Sequence, residues 1–257
     1  MSYLTFHLVF ILPPIVVLAA GIPGIRHRLG RRGILPVLLV PPIAFLYTTP
    51  WDNYLVYREV WWYGPDRVMG TLGYVPIEEY MFFLLQPILT GLFTLHLLAR
   101  RKGAGEAGLR EIPGLRLEPP PASPGRARLL TVLPWFLLTA LGAWLLTVPS
   151  GLYMGLILAW ASPVVALMWL YDGPRLWRFV HVMGLAVAVP TLYLWVADWY
   201  AIRDGIWAIS PEYTLGWNPL GLPVEEAVFF LITNVLVAVG VLLFAAPGMD
   251  LEEGSSA

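Results

Sequence analysis

The chain has 257 residues, of which 58% are hydrophobic and 13% are charged. This composition is typical of an integral membrane protein and excludes an ordinary soluble domain. The formal net charge of −1 gives no reason to expect a nucleic-acid partner, and the lack of cysteine excludes disulfides, thiolate metal sites and cysteine nucleophiles.

Seven apolar stretches are long enough to cross a hydrocarbon core of roughly 30 Å. In chain order they cover about residues 3–22, 34–50, 76–99, 129–147, 149–171, 178–197 and 223–246. The sequence therefore predicts an all-α integral membrane protein with seven transmembrane helices. Of the 16 Lys and Arg residues, all but Arg58, Arg67 and Arg203 fall on one side of this zigzag. By the positive-inside rule we expect a cell-membrane protein with the N-terminus outside and the C-terminus in the cytoplasm.

The second half of the chain repeats the first at an offset of 146 or 147 residues. "LYTTPWDNYLVYREVWW" (46–62) aligns with "LYLWVADWYAIRDGIWA" (192–208). Helices 1 to 3 would then correspond to helices 5 to 7, as two parallel repeats joined by helix 4 in a 3+1+3 arrangement. The predicted segments are a first repeat over 1–99, a cytoplasmic linker over 100–128, helix 4 over 129–148, a second repeat over 149–247 and an acidic tail over 248–257.

Each repeat carries two adjacent glutamates after a proline, at the start of a long apolar helix. The motifs are "GYVPIEEYMFF" (73–83), with Pro76, Glu78 and Glu79, and "GLPVEEAVFF" (221–230), with Pro223, Glu225 and Glu226. One glutamate in a first helical turn can stabilise the helix end by roughly 0.3 to 1 kcal/mol. Two adjacent glutamates repel each other at the edge of an apolar phase, so a catalytic role is the stronger interpretation.

A polar stripe continues down the third helix from its second glutamate, at the spacing i, i+4, i+7 and i+11. It comprises Glu79, Phe83, Gln86 and Thr90, and helix 7 begins the same pattern with Glu226, Phe230 and Thr233. Polar stripes on membrane helices face the protein interior or a cavity. Asp52 and Asp198, at the outer ends of helices 2 and 6, should lie at the same depth. We therefore expect six crowded carboxyl groups in one layer, of which one or more stays protonated near neutral pH.

Aromatic residues fill the two outer loops, predicted over 51–75 and 198–222. Most Trp and Tyr residues at this depth anchor a protein at the membrane interface. Three pairs recur at matching positions of both repeats and are candidates for substrate binding. If a protonated glutamate acts as an acid on the substrate, a carbocation forms, and each aromatic face in contact with it would stabilise it by up to ~2 kcal/mol. These pairs are Tyr47 and Tyr193, Tyr54 and Tyr200, and Trp61 and Trp207. The predicted substrate-binding set also includes Asp52, Asp198 and the stripe residues Phe83, Gln86, Phe230 and Thr233.

No metal or other cofactor is expected. His7, His96 and His181 have no partner at i+3 or i+4 that would complete a metal site. The segment "GAGEAG" (103–108) satisfies G-x-G-x-x-G, but it lies in the predicted linker rather than between a strand and a helix.

These features resemble the small integral-membrane lycopene cyclases, in which each of two homologous halves carries a PxE(E/D) motif behind an aromatic and acidic loop. The chain is similar to the form in which both halves are fused. The resemblance implies a redox-neutral, cofactor-independent enzyme that converts the linear ψ end groups of lycopene to β-ionone rings. It also implies that Glu78, Glu79, Glu225 and Glu226 supply the acid and the base. The implied partners are a linear carotenoid from the bilayer, the lipid membrane and other carotenoid-synthesis enzymes.

Two other functions fit parts of the pattern. A 3+1+3 arrangement also describes small-solute transporters, although here the polar residues concentrate at one membrane face rather than at the midplane. A non-catalytic subunit of a carotenoid-synthesis complex is the third candidate. The sequence leaves open which glutamate is the acid, whether one or both end groups react, and whether the ring is β or ε.

Overall fold

The computed structural model describes residues 1–103 and 124–245. Seven long helices account for most of these ranges: α1 Tyr3–Ala20, α2 Leu35–Tyr57, α3 Ile77–Gly103, α4 Pro124–Leu145, α5 Leu152–Arg178, α6 Val180–Arg203 and α7 Val224–Ala245. A short helix, Ile22–Leu29, and a 3₁₀ turn, Arg32–Ile34, join α1 to α2. All of the seven except α4 are long and apolar enough to cross a membrane, and the apolar part of α4 is the shorter Leu129–Leu145. The prediction of a helical membrane protein is confirmed at this level.

Several helix ends differ from the predicted ones. Helix α2 continues to Tyr57 and α6 to Arg203, so the outer loops begin later than predicted. Helix α5 passes a kink at Asp172 and continues to Arg178. Helix α4 starts at Pro124, inside the predicted linker, while most of that linker and the whole predicted tail lie outside the described residues. Each extension contains polar or charged residues, which end an uninterrupted apolar run.

Helix α1 contains a π-helical turn, His7–Ile11, followed by Pro13 and Pro14. Since Pro14 has no N–H, the carbonyl of Phe10 lacks its usual helical partner. The Tyr193 hydroxyl donates to this carbonyl at 2.7 Å, which joins α1 to α6. The same kind of contact joins α2 to α5, where Tyr47 donates to the carbonyl of Trp160 at 2.8 Å.

The outer loops form two small ribbons that the sequence did not predict. Strand β1, Trp61–Tyr63, pairs antiparallel with β4, Trp207–Ile209, and strands β2, Thr71–Leu72, and β3, Val75–Pro76, form a hairpin. The central pair of the first ribbon is Trp62 opposite Ala208, two residues that are 146 positions apart. This ribbon brings the two outer loops together next to the starts of α3 and α7.

The two glutamate-bearing helices, α3 and α7, pack against each other, and each also packs against α6 and α2. A buried hydrogen-bond network joins three of these helices. Asn234 Oδ1 on α7 accepts from Gln86 Nε2 at 2.7 Å and from Thr90 Oγ1 at 2.6 Å, both on α3. Asn234 Nδ2 donates to Thr191 on α6 at 3.0 Å. Because buried polar groups in an apolar setting need partners, this network fixes the depth of α3 against α7.

Candidate active site

The second glutamate of each motif is held by tyrosine hydroxyls. Tyr3 donates to Glu79 Oε2 at 2.7 Å, and Tyr63 donates to the same oxygen at 3.1 Å. Tyr153 donates to Glu226 Oε1 at 2.6 Å. Glu79 thus accepts from two phenols and Glu226 from one, so the two carboxyl groups have related but unequal surroundings.

The backbone positions Tyr3 and Tyr153 in the same way. The Tyr3 N–H donates to the carbonyl of Arg67 at 2.8 Å, and the Tyr153 N–H donates to the carbonyl of Tyr213 at 3.1 Å. Arg67 and Tyr213 lie 146 positions apart in the two outer loops. The loops therefore place one phenol beside each second glutamate.

The first glutamate of each motif binds the loop in front of its helix. Glu78 Oε1 accepts the N–H of Met69 at 2.8 Å, and Glu225 Oε1 accepts the N–H of Leu215 at 2.7 Å. Both side chains are fully buried, and neither lines the cavity described next. Both motifs do put their glutamates in the first helical turn, as predicted, with Pro76 and Pro223 one residue before the helix.

A cavity of about 40 Å³ lies between the two second glutamates, and we call it the acid chamber. Glu79, Glu226, Asp52 and Asp198 all line it. Asp198 accepts from Trp207 Nε1 at 2.9 Å, while Asp52 and Asp198 each keep one buried oxygen that has no hydrogen-bond partner among the described residues. Four carboxyl groups thus share a space with room for only a few water molecules.

Aromatic side chains make up much of the remaining wall of the acid chamber. Those that line it are Tyr3, Phe6, Trp61, Tyr63, Phe82, Tyr153, Trp207, Phe229 and Phe230. Trp61, Trp207 and Phe230 belong to the predicted substrate-binding set. Burial raises the pKa of the Tyr63 hydroxyl well above its usual range, and the nearby charge of Glu79 adds to this effect. Tyr63 therefore stays a protonated donor at ordinary pH.

The other predicted aromatic pairs lie outside the chamber. Tyr54 and Tyr200 are partly exposed at the protein surface, and the Tyr54 hydroxyl accepts from Arg58 at 2.9 Å. The reason is helical geometry: each tyrosine lies two residues after Asp52 or Asp198 on a continuous helix, about 200° around its axis. Tyr54 and Tyr200 therefore do not line the acid chamber, and their predicted role in substrate binding stays a prediction.

Four of the five remaining predicted residues lie along a second cavity. Tyr47, Phe83, Gln86 and Thr233 line it, whereas Tyr193 contacts α1 through the Phe10 carbonyl. None of these five lines the acid chamber.

Sequence reasoning missed Tyr3, Tyr153 and Asn234, and it did not single out Tyr63 among the aromatic residues of the first outer loop. It also missed several apolar residues of the chamber wall, namely Phe6, Phe82, Leu194, Ile209 and Phe229. The tyrosines at the starts of α1 and α5 are 150 positions apart, whereas the motifs repeat at 146 or 147. A separate alignment of helices 1 and 5 would have paired Tyr3 with Tyr153 and Phe10 with Trp160.

The three outer arginines are engaged away from the chamber. Arg58 contacts the rings of Tyr54 and Tyr213. Arg67 donates to the carbonyls of Met1 and Asp204 at 2.9 Å each. Arg203 lies over the Trp199 ring at 5.1 Å.

Comparisons with known proteins agree with the motif analysis. A family model for lycopene cyclase matches residues 1–97 and 150–244. The lycopene beta-cyclase of Halobacterium salinarum is 45% identical over 248 residues, which cover 95% of this chain and 96% of that protein. The bifunctional lycopene cyclase/phytoene synthase of Sporisorium reilianum is 37% identical over 92% of this chain and 34% of its own length. That of Podospora anserina is 34% identical over 95% of this chain and 40% of its own length. No solved structure matches the chain. The two segments matched by the family model leave out the predicted linker and α4.

Proposed function

The chain belongs to the lycopene cyclase family, and from this we propose that it cyclises the linear ψ end groups of lycopene, or of a related linear carotenoid, to β-ionone rings. The observation that carries the proposal is the acid chamber, where Glu79 and Glu226 line one space with Asp52 and Asp198 among aromatic side chains. Such a chamber offers an acid, a base and shelter from water, which are the requirements of a redox-neutral cyclisation.

The proposed reaction begins when a carboxylic acid gives a proton to carbon 2 of the ψ end group, leaving a cation at carbon 1. The double bond between carbons 5 and 6 then supplies the electrons of the new bond from carbon 6 to carbon 1, which moves the charge to carbon 5. A carboxylate takes the proton from carbon 6, and the double bond between carbons 5 and 6 is restored. One proton enters and one leaves, so the product is an isomer of the substrate.

We propose Glu226 as the acid and Glu79 as the base. Two phenol donors converge on one oxygen of Glu79, whereas Glu226 accepts from one. Hydrogen bonds to a carboxylate favour its ionised form, so Glu79, which has the larger number of phenol donors, is the more suitable base. After each turnover a proton must return from Glu79 to Glu226, and both side chains line the same chamber.

The chamber wall would protect the cation in two ways. The faces of Trp61, Trp207, Phe82 and Phe229 can stabilise positive charge, by up to ~2 kcal/mol per desolvated contact. The β1 and β4 ribbon contributes Trp61, Tyr63, Trp207 and Ile209 to the lining, which limits the entry of water that would quench the cation.

We further propose that the chain is a 3+1+3 membrane protein with the chamber on the outer side. In this proposal residues 1–99 and 149–247 are the repeats, residues 129–148 hold the connecting helix, and the linker 100–128 and the tail 248–257 are cytoplasmic. Two observations support the repeat: Trp62 faces its counterpart Ala208 in the ribbon, and Glu78 and Glu225 bind equivalent loop N–H groups. The distribution of Lys and Arg supports the orientation.

Cysteine labelling tests this orientation, because the natural chain contains no cysteine. A single cysteine at Trp217, which is exposed in the second outer loop, should react with a membrane-impermeant maleimide in intact cells. A single cysteine at Arg116, in the predicted linker, should react only after the cells are opened. The reverse pattern would overturn the proposed orientation.

Expression in cells that accumulate lycopene tests the function. We expect β-carotene if both end groups react, or γ-carotene if only one reacts, by absorption and chromatography of the extracted pigments. Unchanged lycopene in cells with verified membrane insertion would contradict the proposal and favour a transporter or a non-catalytic subunit.

A further inference from the structure

A second, larger cavity of about 290 Å³ adjoins the acid chamber, and we call it the apolar groove. Phe82 and Phe229 line both spaces. The groove follows one face of α7, where Phe229, Thr233, Leu236, Val237, Gly240 and Phe244 line it. Phe244 lies fifteen positions after Phe229, so the groove extends about 22 Å along the helix.

The groove opens toward the surface that faces lipid. Ile43 and Phe244 line it and are 54% and 49% exposed, although both belong to apolar helices. A bilayer-dissolved molecule could therefore enter from the side, without crossing water.

Three of the polar side chains of the groove are bonded within the protein, whereas the buried Nε1 of Trp160 has no hydrogen-bond partner among the described residues. Tyr47 donates to the Trp160 carbonyl, Gln86 donates to Asn234, and Thr233 donates to the Phe229 carbonyl at 2.8 Å. A polar solute would need free donors or acceptors, whereas a hydrocarbon needs only contact area. Since most of the lining residues are apolar, the groove favours a long apolar ligand.

The acid chamber is too small to admit a six-membered ring with its methyl groups unless its walls move. Since Phe82 and Phe229 form the shared boundary, their side chains are the ones that a substrate entering from the groove would displace. Because the groove and the chamber adjoin, one molecule can occupy both. Its reacting end group would lie in the chamber and its apolar chain in the groove.

We propose that the apolar groove binds the polyene chain of a linear carotenoid, with Phe82 and Phe229 as the gate through which its end group reaches Glu79 and Glu226. This inference rests on the proposed function, and it adds the binding site and the route of entry. The ligand of the groove is then a straight conjugated hydrocarbon rather than a polar solute.

Gly240 offers a direct test because it lies in the wall of the groove, away from the chamber. A Cβ added there would meet Val40 at 3.6 Å and Met168 at 3.9 Å, which are ordinary contacts. Since glycine is a poor helix former, a larger residue should also not weaken the helix itself. Gly240→Leu should therefore fill the groove and leave the fold intact.

The matched control is Gly184→Leu on α6. In the part of the chain that the structure describes, an added Cβ at Gly184 meets no atom within 4 Å, and Gly184 lines neither the groove nor the chamber. Both variants add the same side chain to a membrane helix, so only the site differs.

The experiment measures lycopene bound to the detergent-solubilised full chain, by absorbance after gel filtration, in the Glu79→Gln/Glu226→Gln background that removes turnover. We expect Gly240→Leu to lower the affinity for lycopene about tenfold, the order expected for overpacking a fitted apolar site, and Gly184→Leu to leave it unchanged. Equal binding by all three proteins would overturn the proposal, and would mean that the groove holds only lipid acyl chains. If Gly240→Leu does not elute as a folded species, Ile43→Trp, which adds bulk at the exposed edge, takes its place with the same two outcomes.

Cyclisation assays with the two glutamates restored separate this inference from the function. If lycopene binds and Gly240→Leu weakens binding as expected, but no protein forms a cyclic product, the groove is supported and the proposed function is wrong. If Gly240→Leu binds and cyclises lycopene like the wild type, the groove is wrong and the function stands.

Discussion

The hydroxyl of Tyr153 is expected to control the acid strength of Glu226. Its hydrogen bond to Glu226 Oε1 is short, at 2.6 Å, and the side chain is buried. When Glu226 gives its proton to the substrate, this donor stabilises the carboxylate that remains. Tyr153→Phe keeps the ring against Trp61, 5.1 Å away between centroids, and removes only the hydroxyl.

A hydrogen bond to a charged group contributes about 1.5 to 3 kcal/mol. If the whole contribution is made in the transition state, Tyr153→Phe should lower kcat about 10- to 150-fold. Tyr3→Phe should have a smaller effect, because Tyr63 still donates to Glu79 at 3.1 Å. Tyr171→Phe, at a position 76% exposed on α5, serves as the control.

The assay is the initial rate of cyclic carotenoid formation from lycopene in liposomes, with thermal unfolding measured on the same preparations. An unchanged kcat in a stably folded Tyr153→Phe protein would refute the reasoning, because the phenol would then contribute nothing where charge develops on Glu226.

Three further substitutions test the support around the chamber. Glu225→Ala leaves the Leu215 N–H without its acceptor, so the free energy of unfolding should fall by about 1 to 3 kcal/mol, measured by thermal or denaturant unfolding in detergent. Asn234→Leu removes the centre of the buried network between α3, α6 and α7. It should lower the free energy of unfolding by a similar amount, about 1 to 3 kcal/mol. Unchanged stability would mean that the network is dispensable. Gly64→Ala would place a Cβ 2.2 Å from the Gly205 carbonyl oxygen, so it should separate the outer loops and reduce both the melting temperature and the cyclisation rate; a protein that melts like the wild type would contradict this.

The sequence was sufficient for the features that depend on local patterns. The lengths of the apolar stretches predicted where the helices lie, and the spacing of Glu79, Phe83 and Gln86 predicted a helix face directed inward. Glu79 does line the acid chamber, and Phe83 and Gln86 line the groove. A pattern of this kind is readable because a continuous helix fixes the direction of each side chain.

Contacts between distant segments were not readable in the same way. Tyr3 reaches Glu79 across 76 positions because Arg67 in the outer loop binds the start of α1. The pairing of β1 with β4 depends on how the two loops meet, which no local signal in "WWY" or "WAI" encodes. Tyr54 was assigned to the site because it recurs in both repeats, yet recurrence does not distinguish a residue facing the chamber from one facing lipid.

The central claim is that proton transfer depends on the second glutamate of each motif, while the first glutamate holds the outer loop. The most direct measurement is lycopene cyclisation in liposomes by Glu79→Gln and Glu226→Gln, compared with Glu78→Gln and Glu225→Gln at equal amounts of folded protein. The account predicts a loss of about 10²- to 10⁴-fold for the first two variants and a much smaller loss for the other two. Full activity in Glu79→Gln or Glu226→Gln would contradict it.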